Sequence, residues 1–135
     1  MSMMTDMMKA MPMPSMTGMN MDMTMMQGCM EACSAAAMAA TMCADADSGE
    51  NMGRCASMCM NTADVATATM RMMMRTGGYD MKVMSSMMTA CMVMGEACAA
   101  ECGSHAEMSE HCRICASACR AMVEACSKMM SGMKG

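Results

Sequence analysis

A chain of 135 residues has room for one hydrophobic core and not for several domains. Its composition is unusual: 34 Met and 12 Cys stand beside one Tyr (Tyr79), one Ile (Ile114), four Val, and no Leu, Phe or Trp. A formal charge of −4 gives no basic stripe for nucleic acid and no polybasic membrane anchor, and no unbroken apolar run is long enough to span a bilayer.

Residues 1–23 form a low-complexity, Met-rich segment in which Pro12, Pro14 and Gly18 prevent a continuous helix, so a flexible arm is expected there. Met1, Met3, Met4, Met7, Met8, Met11, Met13 and Met16 recur in it with no core to fill, which suits weak thioether capture of an incoming soft ion. The arm also lacks the apolar stretch of a signal peptide, and a chain opening Met-Ser reads as cytoplasmic; an exported mature form is the alternative.

Residues 24–135 read as a four-helix bundle. The first helix is expected from Thr24, as N-cap, to Ala46, with Asp47, Ser48 and Gly49 breaking it. The second runs from Glu50 to just before Gly77 and Gly78. Tyr79 and Asp80 open the third, with Asp80 as N-cap, and Gly103 stops it after Cys102. The fourth runs from His105 or Ala106 to Met130. Met and Ala favour helices and strand formers are scarce, so the fold class is all-α. Short connections make neighbours antiparallel, in up-down-up-down order.

The cysteines fall into register with these helices. Cys29, Cys33 and Cys43 share one line with Ala36 and Ala40; Cys55 and Cys59 share a second with Thr62, Ala66 and Thr69. Cys91, Cys98 and Cys102 lie on a third line with Met88 and Gly95. Cys112, Cys115, Cys119 and Cys126 lie on a fourth with Met108 and Met122. Steps of 3 and 4 keep each set on one helix face, so all twelve thiols can point into one interior, and no acidic residue is expected on these lines.

Cysteines four apart on a helix are poorly placed for a disulfide. They are well placed to grip a soft ion, and Cys29/Cys33, Cys55/Cys59, Cys98/Cys102 and Cys115/Cys119 form such pairs. Buried thiolates need counter-ions. Cu(I) replacing one proton per thiol keeps the interior near neutral, whereas a divalent zinc with four thiolates leaves excess charge. Met88, Met94 and Met122 can add thioether sulfur, and His105, His111 and Met108 sit together at one mouth of the bundle. Met38, Met42, Met58, Met60, Met72 and Met92 are expected to pack the core. A zinc- or silver-sequestering protein of metallothionein type, or a purely structural Met-rich bundle, are the alternatives. Enzymatic chemistry is not expected, because the inward Glu-x-x-His pattern of di-iron bundles is absent.

The segments Cys29-Met-Glu-Ala-Cys33, Cys43-Ala-Asp-Ala-Asp, Met52-Gly-Arg-Cys55, Ala63-Asp-Val, Gly78-Tyr79-Asp80, Ala97-Cys98-Ala-Ala-Glu-Cys102 and His111-Cys112-Arg-Ile-Cys115-Ala-Ser-Ala-Cys119 resemble the bacterial copper storage proteins over about residues 24–130. That resemblance implies storage of several Cu(I) ions within the bundle, a homo-oligomer (a tetramer) and histidines at the open mouth. This chain departs from the family pattern at Ala36, Ala40, Thr62, Ala66, Gly95 and Met122, where the family often has further cysteines. Only Met122 keeps a sulfur.

Overall fold

The computed structural model describes residues 2–10, 23–78 and 80–133. Five helices follow in order: α1 (Ser2–Ala10), α2 (Met23–Gly49), α3 (Gly53–Met74), α4 (Met81–Gly103) and α5 (Glu110–Met133). A single 3-10 turn, Thr76–Gly78, joins α3 to α4. Helices α2 to α5 close a ring in which each packs on two neighbours, α2 on α3 and α5, and α4 on α3 and α5. Short links set the alternating direction. The C-terminus of α2 and the N-terminus of α3 therefore share an end with the C-terminus of α4 and the N-terminus of α5.

Several boundaries differ from the sequence expectation. Helix α2 continues through Asp47 and Ser48 to Gly49, and already includes Thr24 at its start. The link then turns at Asn51, whose φ of 64° is left-handed, a conformation that Asn tolerates better than most residues. Glu50 thus lies in the turn, and α3 begins at Gly53. Asp80 does cap α4, its carboxylate accepting the Val83 N–H at 3.0 Å; Tyr79 lies outside the described residues. Residues 104–108 form consecutive turns, with His105 N–H on Cys102 O and Ala106 N–H on Gly103 O, so α5 starts later than His105. Ser109 Oγ accepts the Cys112 N–H at 3.4 Å, an N-cap contact for α5.

The segment read as an arm is helical over Ser2–Ala10 and touches α2, where Thr5 Oγ1 donates to Gln27 Oε1 at 3.2 Å. Met1, Met11, Met13 and Met16 lie outside the described residues. Helix α4 is long and apolar enough to cross a membrane by length and composition, but here its Cys face is packed inside the ring.

The interior divides lengthwise. One cluster holds Cys43, Cys55, Cys59, Cys98, Cys102, Cys112, Cys115 and Cys119 with Ala40 and Ala44. The other holds Cys29, Cys33, Cys91 and Cys126, packed with Met26, Met30, Met73, Met84, Met88, Met122, Met129 and Met133. Methionine takes the role of leucine in that half: it fills irregular gaps and is a good helix former. Met38, Met42 and Met60 do not pack the core as expected. They are 58% to 73% exposed, on the outer faces of α2 and α3.

Candidate metal centre

All twelve cysteines are buried and unpaired by disulfides. At the thiol-rich end, four helices bring eight of them together. Cys59 Sγ lies 3.5 Å from Cys102 and 3.9 Å from Cys115 and Cys98. Cys55 is 3.6 Å from Cys102, and Cys43 is 3.8 Å from Cys112. The sequence pairs four residues apart contribute, yet most close contacts cross between helices.

The ligand groups overlap. Cys43, Cys55, Cys59 and Cys102 form one set whose sulfurs all lie within 4.8 Å of one another, and Cys59, Cys98, Cys102 and Cys115 form a second. Cys59 and Cys102 belong to both. A thiolate shared in this way can bridge two soft ions, which suits a cluster better than a series of separate four-coordinate sites.

Sequence reasoning missed one member of this centre. Asp47, read as a helix breaker, is fully buried and faces the thiols. Its carboxylate accepts from Cys112 Sγ at 3.6 Å and Cys43 Sγ at 3.7 Å, with Cys59 Sγ at 4.0 Å. With Cys43, Cys55 and Cys112 it closes a further four-ligand set. The expectation that no acidic residue lies on the cysteine lines therefore fails. The signal was present: Asp47 follows Cys43 by four residues and so extends the same face.

The two histidines separate. His111 reaches the thiols, with Nδ1 at 3.2 Å from Cys43 Sγ, and Nε2 at 3.0 Å from Glu50 Oε1. Asp47, Glu50 and His111 together make a small mixed-donor group at the rim. His105 instead faces Glu101, 3.3 Å away, which also pairs with Arg54. Met108 is 83% exposed and Met94 half-buried, so neither joins the buried sulfurs.

At the opposite end Cys29 and Cys126 lie 3.5 Å apart, and Cys33 completes a three-sulfur group. Cys91 Sγ donates to the Met122 thioether at 3.6 Å. Met88 is buried in this half, away from the eight-thiol cluster.

Proton sharing within the clusters is uneven. Hydrogen bonds from Cys126 and then Cys33 pull Cys29 down to about 5. Cys98 is driven well below the usual thiol range by hydrogen bonding with Cys102, then with Cys115, Cys119 and Cys59. The neighbours pay in the other direction. Hydrogen bonding to Cys126 raises Cys33, and hydrogen bonding to Cys102 raises Cys59. Burial raises Cys43 and Cys55, and contact with Cys126 raises Cys91 to about 11. One thiolate in each half, held by surrounding S–H donors, is the consistent picture.

These shifts fix how the metal-free fold responds to pH. A raised thiol keeps its proton in the folded chain while the unfolded chain ionises at its ordinary 9.0, so its contribution is present below 9 and is lost above it. Cys29 and Cys98 act oppositely: their contribution is present above 9 and is lost as pH falls. Raised thiols outnumber lowered ones. The denaturation midpoint of the reduced, metal-free chain should therefore fall between about pH 9 and about pH 11. A midpoint that stayed level or rose across that window would contradict the protonated-cluster picture.

Comparison with known proteins gives a consistent result. The sequence profile described as copper storage protein matches residues 16–131. A Streptomyces lividans copper storage protein, Ccsp, solved with 10 copper equivalents, is 37% identical, with a TM-score of 0.86 over 94% of this chain and 97% of that one. A structure of a cytosolic copper storage protein from the same organism with five coppers is 39% identical, with a TM-score of 0.76 over 80% of this chain and 93% of that one. A histidine-to-alanine variant of Ccsp is also 39% identical, with a TM-score of 0.80 over 84% of this chain and 98% of that one. No curated protein matches the sequence. A helical bundle lined by thiols from all four helices, matched over most of its length by that profile and by those structures, belongs to the copper storage protein family.

Proposed function

We propose that this chain stores copper as Cu(I), held by the twelve buried cysteines, in the cytosol and as a homo-oligomer. The observation that carries this reading is the sharing of Cys59 and Cys102 between overlapping four-sulfur sets. Such sharing lets several monovalent soft ions occupy one neutral cluster, each displacing about one thiol proton. The likeness to a copper-loaded relative and to one described as cytosolic supports both the cargo and the compartment. A tetramer follows from the family resemblance.

The donors have different parts. Thiolates hold the ions. Asp47 offers a buried oxygen beside Cys43 and Cys112, and His111 offers a nitrogen at the rim, where ions pass between solvent and the cluster. Met122 adds a thioether to Cys91. His105, engaged with Glu101, and exposed Met108 stand at the mouth without joining the buried sulfurs, and half-buried Met94 lies along α4. Met3 and Met7, exposed on α1, can capture Cu(I) weakly before transfer. Storage needs no reacting substrate, and the role is binding, not catalysis.

Titrating the reduced chain with Cu(I) against a chelator of known affinity tests this directly. On the order of a dozen ions per chain, about one per thiol, are expected by charge neutralisation, with little Zn(II) retained under the same conditions. Only one or two copper ions surviving gel filtration would refute storage.

A further inference from the structure

We propose that the chain keeps its soft ions in two independent compartments, the eight-thiol cluster at one end and a separate site of Cys29, Cys33, Cys91, Cys126 and Met122 at the other. This deepens the storage reading and rests on it.

The core between them carries no thiol. Along α4, seven residues separate Cys91 from Cys98, and along α5 seven separate Cys119 from Cys126. At 1.5 Å per residue each gap is about 10 Å. On α2 ten residues separate Cys33 from Cys43, about 15 Å, and α3 offers no thiol after Cys59. Two sulfurs holding one ion between them reach only about 4.6 Å, taking a metal–thiolate bond of about 2.3 Å. No chain of bridging ions crosses such a gap.

What fills it is unsuited to a soft ion. Ala36, Ala40, Ala66 and Gly95 supply hydrocarbon or nothing. The hydroxyl of Thr62 donates to its own helix at Met58 O, 2.9 Å away. Met122 closes the layer: a Cβ built on Gly95 would stand 2.9 Å from the Met122 Cε methyl, so that methyl occupies the space beside Gly95. Its sulfur points the other way, to Cys91 at 3.6 Å. One side chain thus caps the second compartment with its methyl and contributes sulfur to it.

The compartments also differ in chemistry and approach. The large cluster has Asp47, His111 and Glu50 at its rim. The smaller one is packed against buried methionines and contains no carboxylate among the described residues. It lies under its own surface groove, a cavity of about 330 Å³ between α2 and α5 lined by Gly28, Cys29, Ala121 and Ala125 together with the charged Glu124 and Lys128.

Fractional loading of the wild-type chain with Cu(I), followed by maleimide alkylation under mild denaturant and intact mass measurement, reads the partition without a substitution. Chains should appear with four, eight or twelve protected thiols, the eight and the four mapping to the two clusters. A continuous spread of protection through both clusters would overturn the partition. Replacement of Cys29→Ser and Cys126→Ser should remove the smaller site's share of capacity while changing the affinity of the remaining ions less than about twofold. A tenfold weakening of those ions would show one continuous store. Met122→Cys, which puts a thiol into the gap, should merge the two blocks into one. A wild-type chain that retains no copper at all would instead refute storage itself, a distinguishable outcome.

Discussion

Copper loading should raise the melting temperature of the reduced chain by about 20 °C or more. The metal-free core is built to be weak. It has no Leu or Phe, and Ala36, Ala40, Ala66, Thr62, Thr69 and Gly95 bury little area where a larger side chain would stand. Its methionine half fills space with flexible side chains, which specify packing poorly. Ion binding changes this, because each four-sulfur set draws its ligands from different helices: Cys43 from α2, Cys55 and Cys59 from α3, Cys102 from α4. An ion held there binds the folded chain and not the unfolded one, and contributes about 4 kcal/mol when present at a thousandfold excess over its dissociation constant. Circular dichroism under anaerobic conditions measures the difference. Equal melting temperatures with and without copper would mean that the metal does not cross-link the helices.

Replacing Cys98 and Cys102 together by Ser should cost more copper than the two thiols removed. Neutralisation alone predicts a loss of about two ions. Cys102, however, belongs to both overlapping sets and touches Cys55, Cys59 and Cys98, while Cys98 touches Cys59. Their loss leaves one set with only Cys59 and Cys115, so ions that used bridging sulfurs lose ligands as well. Capacity at fixed chelator should fall by about three to four ions, read by metal analysis, with helical content retained because both positions tolerate a small polar side chain in a helix. A loss of two or fewer would show that the thiols act as separate sites.

The cysteine register was legible because it needs only the step of the helix. At 100° per residue, twelve thiols on four lines leave little freedom in where they point. The same arithmetic would have placed Met38 and Met42 about 180° and about 220° from Cys29, on the outer face of α2, where they are found. Methionine stands in for leucine only where the helix phase turns it inward, and composition alone does not carry that phase. Asp47 was lost for a different reason. Asp-Ser-Gly is strong helix-ending punctuation, and local propensity outweighed the face that Asp47 shares with Cys43. A buried network of Cys43, Cys59 and Cys112 donors compensates for that propensity. Which of His105 and His111 reaches the thiols was not legible, since it depends on the turns at 104–108 and on the pairing of Glu101 with Arg54 and of Glu50 with His111.

The placement of methionine outside as well as inside has a consequence under oxidative stress. Peroxide in solvent contacts Met38, Met42 and Met60 directly, whereas the thiols are enclosed. A sulfoxide at those positions adds a polar oxygen where water already stands, and reductases reverse it. The same oxygen on Met88 would be buried among methionine side chains, away from water. Oxidation of the outer thioethers therefore leaves the packing of the thiol-lined interior undisturbed.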